Sequence, residues 1–291
     1  MPEGQIVRAV SGFYYVRTPQ GDVQCRARGL FKKKKWSPLV GDWVTYEETE
    51  PGEGWVTDLH PRKNALIRPP MANVDQAVVV ASFREPRIQL ELLDRFLVHA
   101  EREGMEILIC LTKQDLLEDP AEADAIYQVY SGTDYPILTT SAPTGEGIKA
   151  LKEALKDRLS VFAGPSGVGK SSLLNGILPT LELKTGEVSR KLGRGRHTTR
   201  HVEILDLPEG GQVADTPGFS QLSFGVMEET ELGNCFPEIA SLAPECKFRG
   251  CLHQREPHCR VRTALKQGEI HQTRYRHYLQ FLEEIKEQRR Y

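Results

Sequence analysis

No apolar run in the 291 residues approaches the roughly 20 needed to span a bilayer, so no membrane partner is expected. The N-terminus is polar and shows no secretion signal, which points to a reducing cytoplasm and disfavours disulfides. Net charge is almost absent. Lys and Arg number 38 against 40 Asp and Glu, leaving −2, and this argues against indiscriminate nucleic-acid binding. Of the six cysteines, Cys25, Cys110 and Cys235 are scattered and read as ordinary buried or half-buried thiols. The near-neutral total hides an uneven distribution. Residues 1–68 hold eleven Lys/Arg against eight Asp/Glu, and residues 246–291 hold eleven against five, so the centre is acidic. The length suits two or three domains.

What the chain does contain begins at Gly164-Pro165-Ser166-Gly167-Val168-Gly169-Lys170-Ser171, which fits the phosphate-binding pattern G-x-x-x-x-G-K-S. The glycines let backbone N–H groups point at phosphate oxygens. Lys170 is expected to reach the β- and γ-phosphates, Ser171 to bind Mg²⁺, and Ser172 to follow in a helix whose positive end faces the anion. Asp215-Thr216-Pro217-Gly218 comes after a probable strand. Its carboxylate suits a water-mediated Mg²⁺ contact, and the Gly218 N–H suits the γ-phosphate. The Gly-rich basic stretch 191–200 between them has the character of a segment that orders around γ-phosphate and Mg²⁺. Thr198 and Thr199 both fit as its Mg²⁺ ligand, and Thr199 is preferred.

The base-reading candidates precede the phosphate loop instead of following it. Thr112-Lys113-Gln114-Asp115 closes one apolar strand, and Thr140-Ser141-Ala142 closes the next. Asp115 can accept from N1–H and the exocyclic amine of guanine. Adenine offers neither donor there, and such a site rejects the analogue by about 10⁴–10⁵. The Lys113 stem can lie along the base, and amides near Ser141 and Ala142 can meet O6. Two residues usual in such proteins are missing. Thr112 stands where Asn is commonest, and its hydroxyl can still tie neighbouring loops. Phe219 stands where Ras-type enzymes carry the water-orienting Gln, so His197 is the candidate for that task.

Strands alternate with helices from Val74 to Ala163, as expected for a mostly parallel sheet covered on both faces. Every motif falls at a strand's carboxyl end, where such sheets bind ligands. Rotating the motif order is physically allowed, because the ends of a compact domain lie at its surface and can be joined. Residues 1–68 read as short strands separated by turns, an OB-type barrel. Lys32, Lys33, Lys34 and Lys35 form a basic loop suited to RNA, and Phe13, Tyr14 and Tyr15 offer stacking surfaces or core. Cys246, Cys251, His253 and Cys259 have the spacing C-x4-C-x-H-x5-C. Three thiolates and one imidazole suit one closed, structural zinc site. Beyond it the stripe Tyr278, Phe281, Leu282, Ile285 reads as the core face of a helix.

Together these motifs resemble the RsgA family, the circularly permuted GTPases of small ribosomal subunit biogenesis. The resemblance covers the whole chain and includes Gly195-Arg196-His197-Thr198-Thr199. It implies an OB-type domain at 1–68, a permuted P-loop GTPase domain at 69–225 and a helical zinc-binding domain at 226–291. It further implies a cytoplasmic monomer that binds GTP or GDP, uses Mg²⁺, engages the small subunit and its rRNA late in assembly, and leaves after subunit-stimulated hydrolysis with His197 as the catalytic residue. Two other classes share the phosphate loop: an ATP-dependent kinase or nuclease, and a passive RNA-binding module stabilised by nucleotide. Asp115→Asn separates the first from a GTPase, and turnover with and without small subunits separates the second.

Overall fold

The computed structural model describes residues 1–27, 37–67, 69–178, 202–215, 223–225 and 227–288. Its strands are β1 Glu3–Val10, β2 Phe13–Thr18, β3 Gly21–Ala27, β4 Trp43–Glu50, β5 Glu53–Leu59, β6 Ala65–Leu66, β7 Met71–Ala72, β8 Gln76–Ser82, β9 Glu106–Thr112, β10 Ile137–Thr139, β11 Leu159–Ala163, β12 Glu203–Asp206 and β13 Gln212–Asp215. The helices are α1 Leu90–Arg102, α2 Ala121–Tyr130, α3 Ile148–Leu155, α4 Lys170–Ile177, α5 Glu229–Leu232, α6 Pro237–Ala240, α7 Arg260–Gln267 and α8 Gln272–Gln288. The chain divides into two compact units: Met1–Ala77 with Lys149–Ala163 and Ser171–Ser220, and Val78–Ile148 with Gly164–Lys170 and Gln221–Tyr291.

In the first unit, β1 to β5 close into a barrel. Neighbours run β1-β2-β3-β5-β4, and β4 returns to β1 with Gly4 opposite Val44. Alternation does the sorting, since the inward side chains Ile6, Val16, Cys25, Val44 and Val56 are completely buried. Burial pushes the Cys25 thiol up to about 11. The apolar and aromatic residues from Ile6 to Arg17 read in sequence as one strand. The structure breaks it at Ser11 and Gly12, both left-handed (φ 51° and 84°), the conformation a two-residue hairpin turn demands. Arginines cover two of the expected stacking rings: Arg8 lies 3.9 Å from the Tyr15 ring centre and Arg26 4.6 Å from that of Phe13. β11 pairs in parallel with β13, β13 antiparallel with β12, and β12 with β1. The helical spacing of the sequence runs from 148 to 159, but the helix stops at Leu155, because Asp157 turns left-handed (φ 57°) and Leu159 enters β11.

In the second unit the strand order is β10-β9-β8, with β9 and β10 parallel. All seven residues of β8 are buried, as are six of the seven in β9. α1 buries Leu93, Phe96, Leu97 and Ala100 on one face, as its spacing predicts, and also Asp94. The C-terminal helices form a core around Phe236, Ile239, Val261, Tyr278, Phe281, Leu282 and Ile285, which Val98 of α1 also enters.

One ionic cluster joins that core to α1. Arg274 of α8, 1% exposed, donates to Asp94 at 2.7 Å and to both oxygens of Glu238 at 2.7 and 3.2 Å. Tyr130 and His277 also reach Asp94, at 2.8 and 2.5 Å. Burial alone would pull the guanidinium down, but the two carboxylates more than reverse it. Phe236 packs on its plane at 4.5 Å.

Candidate nucleotide site and cysteine–histidine cluster

The buried strand β11 delivers the chain to Gly164, whose φ of +142° favours glycine. A Cβ there would lie 2.2 Å from the Val80 carbonyl oxygen, so the loop's backbone can approach β8 this closely only without a side chain. Gly167 and Gly169 also have positive φ, and α4 begins at Lys170. The loop curls round the Lys170 ammonium, which donates to the carbonyls of Gly164 at 2.8 Å and Pro165 at 2.7 Å. Burial lowers this amine to about 8. It is a cation without a carboxylate partner among the described residues, which suits an incoming phosphate.

β9 ends at Thr112, which is 3% exposed. Its hydroxyl lies 2.5 Å from the Val168 carbonyl of the phosphate loop and 3.2 Å from that of Ala81 on β8. One hydroxyl thus binds the end of β9, the candidate base-reading strand, to the phosphate loop, as expected of Thr112 from the sequence. Lys113 adopts a left-handed conformation (φ 59°), and its ammonium donates to the Glu85 carbonyl. That turn leaves Asp115 in the short 3₁₀ turn Gln114–Leu116, exposed and with no hydrogen bond among the described residues. The carboxylate is free to accept two donors from a base.

The second base-reading loop is tied to the first by Gln114 N–H donating to Thr140 O at 3.2 Å. Ser141 is buried, and its own N–H donates to Glu146 O at 3.0 Å. Of the two amides expected to meet a base oxygen, only that of Ala142, an exposed residue, has no partner among the described residues. The sequence reading did not single out the 83–88 segment. Its Glu85 receives Lys113, and its Pro86 accepts from Ser82 Oγ at 2.6 Å. A cavity of about 220 Å³ lies there, walled by Val80, Ile88, Leu92, Phe96, Pro165 and Val168.

Ser171 and Ser172 lie in the first turn of α4, and Asp215 is the last residue of β13, opposite Glu203. Lys32 to Lys35, His197, Thr198, Thr199, Gly218 and Phe219 lie outside the described residues.

In the second unit, Cys246, Cys251, His253 and Cys259 offer four donor atoms within 4.8 Å of one another. Cys246 Sγ is 3.6 Å from His253 Nδ1 and 3.9 Å from Cys259 Sγ, and His253 Nδ1 is 3.4 Å from Cys259 Sγ. A tetrahedral zinc with Zn–S near 2.3 Å sets its ligands about 3.5–3.8 Å apart, so the residues fit that ion. Burial pushes the Cys251 and Cys259 thiols up, so a thiolate set here calls for a cation. The backbone around His253 is held from α8, Tyr275 donating to His253 O at 2.6 Å and Tyr278 to Leu252 O at 2.9 Å. Cys110 and Cys235 are buried and stand outside this four-residue set, raised by burial to about 11 and 12.

A phosphate loop that follows its base-reading strands in sequence, yet is hydrogen-bonded to one of them, defines a circularly permuted P-loop GTPase. Among solved structures, one titled as the crystal structure of YloQ, a circularly permuted GTPase, matches with a TM-score of 0.85 and 45% identity over 99% of this chain and 96% of that one. YjeQ from Thermotoga maritima matches with a TM-score of 0.87 and 38% identity over 97% and 98%. The family model for the RsgA GTPase matches residues 59–225, and that for the RsgA N-terminal domain matches residues 3–56. Among curated relatives, the small ribosomal subunit biogenesis GTPase RsgA of Bacillus subtilis is 49% identical, covering 99% of both chains. That of Shouchella clausii is 51% identical, covering 100% of this chain and 99% of its own. The chain belongs to the RsgA GTPase family.

Proposed function

We propose that this GTPase binds the immature small ribosomal subunit late in assembly, hydrolyses GTP in response to that contact, and then leaves it. The observation that carries the reading is full-length similarity, at about half identity, to relatives named for small-subunit biogenesis. The basic flanks at 1–68 and 246–291 agree with an RNA-rich partner. Residues 1–68, 69–225 and 226–291 serve as RNA-binding barrel, GTPase domain and zinc-binding helical domain of a cytoplasmic monomer. Among the described residues no helix is long and apolar enough to cross a membrane.

In the nucleotide site, Asp115 accepts from the guanine edge, Lys113 lies along the base, and Ala142, beside Ser141, donates to O6. The amides of residues 164–170 cradle the phosphates. Lys170 exchanges the carbonyls of Gly164 and Pro165 for phosphate oxygens, which favour the charged form that burial disfavours. Ser171, Thr199 and Asp215 would hold Mg²⁺, which when bound draws charge from the phosphate oxygens. Gly218 contacts the γ-phosphate, and His197 orients the attacking water. Cys246, Cys251, His253 and Cys259 hold one zinc that fixes the knuckle, and Lys32 to Lys35 contact rRNA. Loss of the γ-phosphate removes the contacts that distinguish the two nucleotide states, and affinity for the subunit falls with them.

The deciding experiment is GTP hydrolysis measured alone, with small subunits, and with large subunits as control. Stimulation by small subunits, weakened by His197→Ala, is the expected result. Equal turnover in all three conditions would overturn the reading.

A further inference from the structure

The knuckle at 246–259 displays an apolar ring outward. Phe248 is 45% exposed, although the adjoining core buries Phe224, Phe236 and Phe281 completely. It stands between two residues of the candidate metal-ligand set, Cys246 and Cys251, so a bound zinc would hold its backbone at both ends. Its neighbours Lys247 and Arg249 are exposed, as is Arg255, and none of the three pairs with a carboxylate among the described residues. The Lys247 ammonium sits 5.6 Å from the Phe248 ring centre.

The two acids in and next to the knuckle segment, Glu256 and Glu245, are engaged elsewhere. Glu245 lies 3.4 Å from Arg260. Glu256 turns inward and accepts the N–H groups of Leu252 at 2.8 Å and Arg255 at 2.9 Å. What faces outward is a ring flanked by uncompensated cations on a loop that a bound zinc would hold. An acidic protein surface would satisfy the cations and gain little from the ring. An unpaired nucleotide satisfies both, its base stacking on the ring and its phosphates meeting the cations.

We propose that Phe248, with Lys247 and Arg249, is a docking point for an unpaired nucleotide of single-stranded RNA. The inference rests on the ribosomal reading above and names one contact within it. The test uses the full-length, zinc-loaded protein. Its affinity is measured for small subunits, for the protein-free rRNA of that subunit, and for a short mixed-sequence single-stranded RNA beside its duplex.

Phe248→Ala should keep its zinc and weaken binding to all three single-strand-containing probes by about tenfold, while Phe248→Trp binds at least as well as wild type. Lys247→Gln with Arg249→Gln should flatten the salt dependence by about one to two units of slope. The proposal falls if Phe248→Ala binds as wild type, if Trp is as weak as Ala, if duplex is preferred, or if the loss appears on intact subunits and not on free RNA. Wild-type protein that ignores small subunits would instead sink the ribosomal reading.

Discussion

Thr112→Val is the sharpest probe of the nucleotide site, because it changes one atom's chemistry and almost no shape. The hydroxyl and the Val168 carbonyl it reaches are both buried, at 3% and 1% residue exposure. Leaving a buried acceptor without this donor costs about 1–3 kcal/mol. Part of that cost falls on the folded protein whether or not nucleotide is bound, and only the difference between bound and free states enters affinity. If all of it were differential, GTP and GDP binding would fall by roughly 100-fold, since about 1.4 kcal/mol is tenfold. An even split gives about tenfold weaker binding and a melting temperature lower by a few degrees. Selectivity for guanine over adenine should hold, because the proposal assigns it to Asp115 and not to Thr112. Thr112→Ser keeps the hydroxyl and should bind near wild type. Titration with a fluorescent GDP analogue and a thermal melt measure both quantities. A Val variant with wild-type affinity and melting, or a Ser variant as weak as Val, would refute the idea that this bond registers the two loops.

Lys170 gives a pH signature. Its amine sits at about 8 in the folded protein against an ordinary 10.5. Bound phosphate favours the ammonium, so GDP affinity should decline as pH rises past about 8, with a proton taken up on binding that calorimetry in two buffers can count. The unfolded chain keeps that proton up to about 10.5, so this group makes folding stability rise with pH between the two values. Arg274→Met leaves Asp94 and Glu238 buried with no guanidinium between them, and denaturant unfolding should show a loss of about 3–5 kcal/mol. Chelation should strip zinc, lower the melting temperature and leave GDP titration unchanged; protein purified with no zinc would contradict the metal assignment.

The nucleotide site was legible because its chemistry is local. Gly164 to Ser171 and Thr112 to Asp115 are each motifs of a few residues, and alternation of strands and helices placed them at strand ends. The knuckle was legible for the same reason, Cys246 to Cys259 spanning one short segment. The Arg274 cluster was not. Its partner Asp94 is 180 positions away, and on an amphipathic helix an aspartate among Leu93, Phe96 and Leu97 reads as a surface residue until the opposing charge is in view. The turn at Ser11-Gly12 was hidden by apolar and aromatic residues on both sides, which read as one uninterrupted strand. The early end of α3 depended on the left-handed turn at Asp157, a conformation uncommon outside glycine.

The Arg274–Asp94–Glu238 cluster also has a mechanical consequence. Swinging α8 away from α1 would strand a guanidinium and two carboxylates in an oily interior, a far steeper penalty than parting two apolar faces. A hinge at that seam is therefore closed off. Arg274 directly precedes Tyr275, which holds the knuckle at His253, and Asp94 lies in the second turn of α1, so the knuckle, α8 and the start of α1 are fastened to one another over a short span.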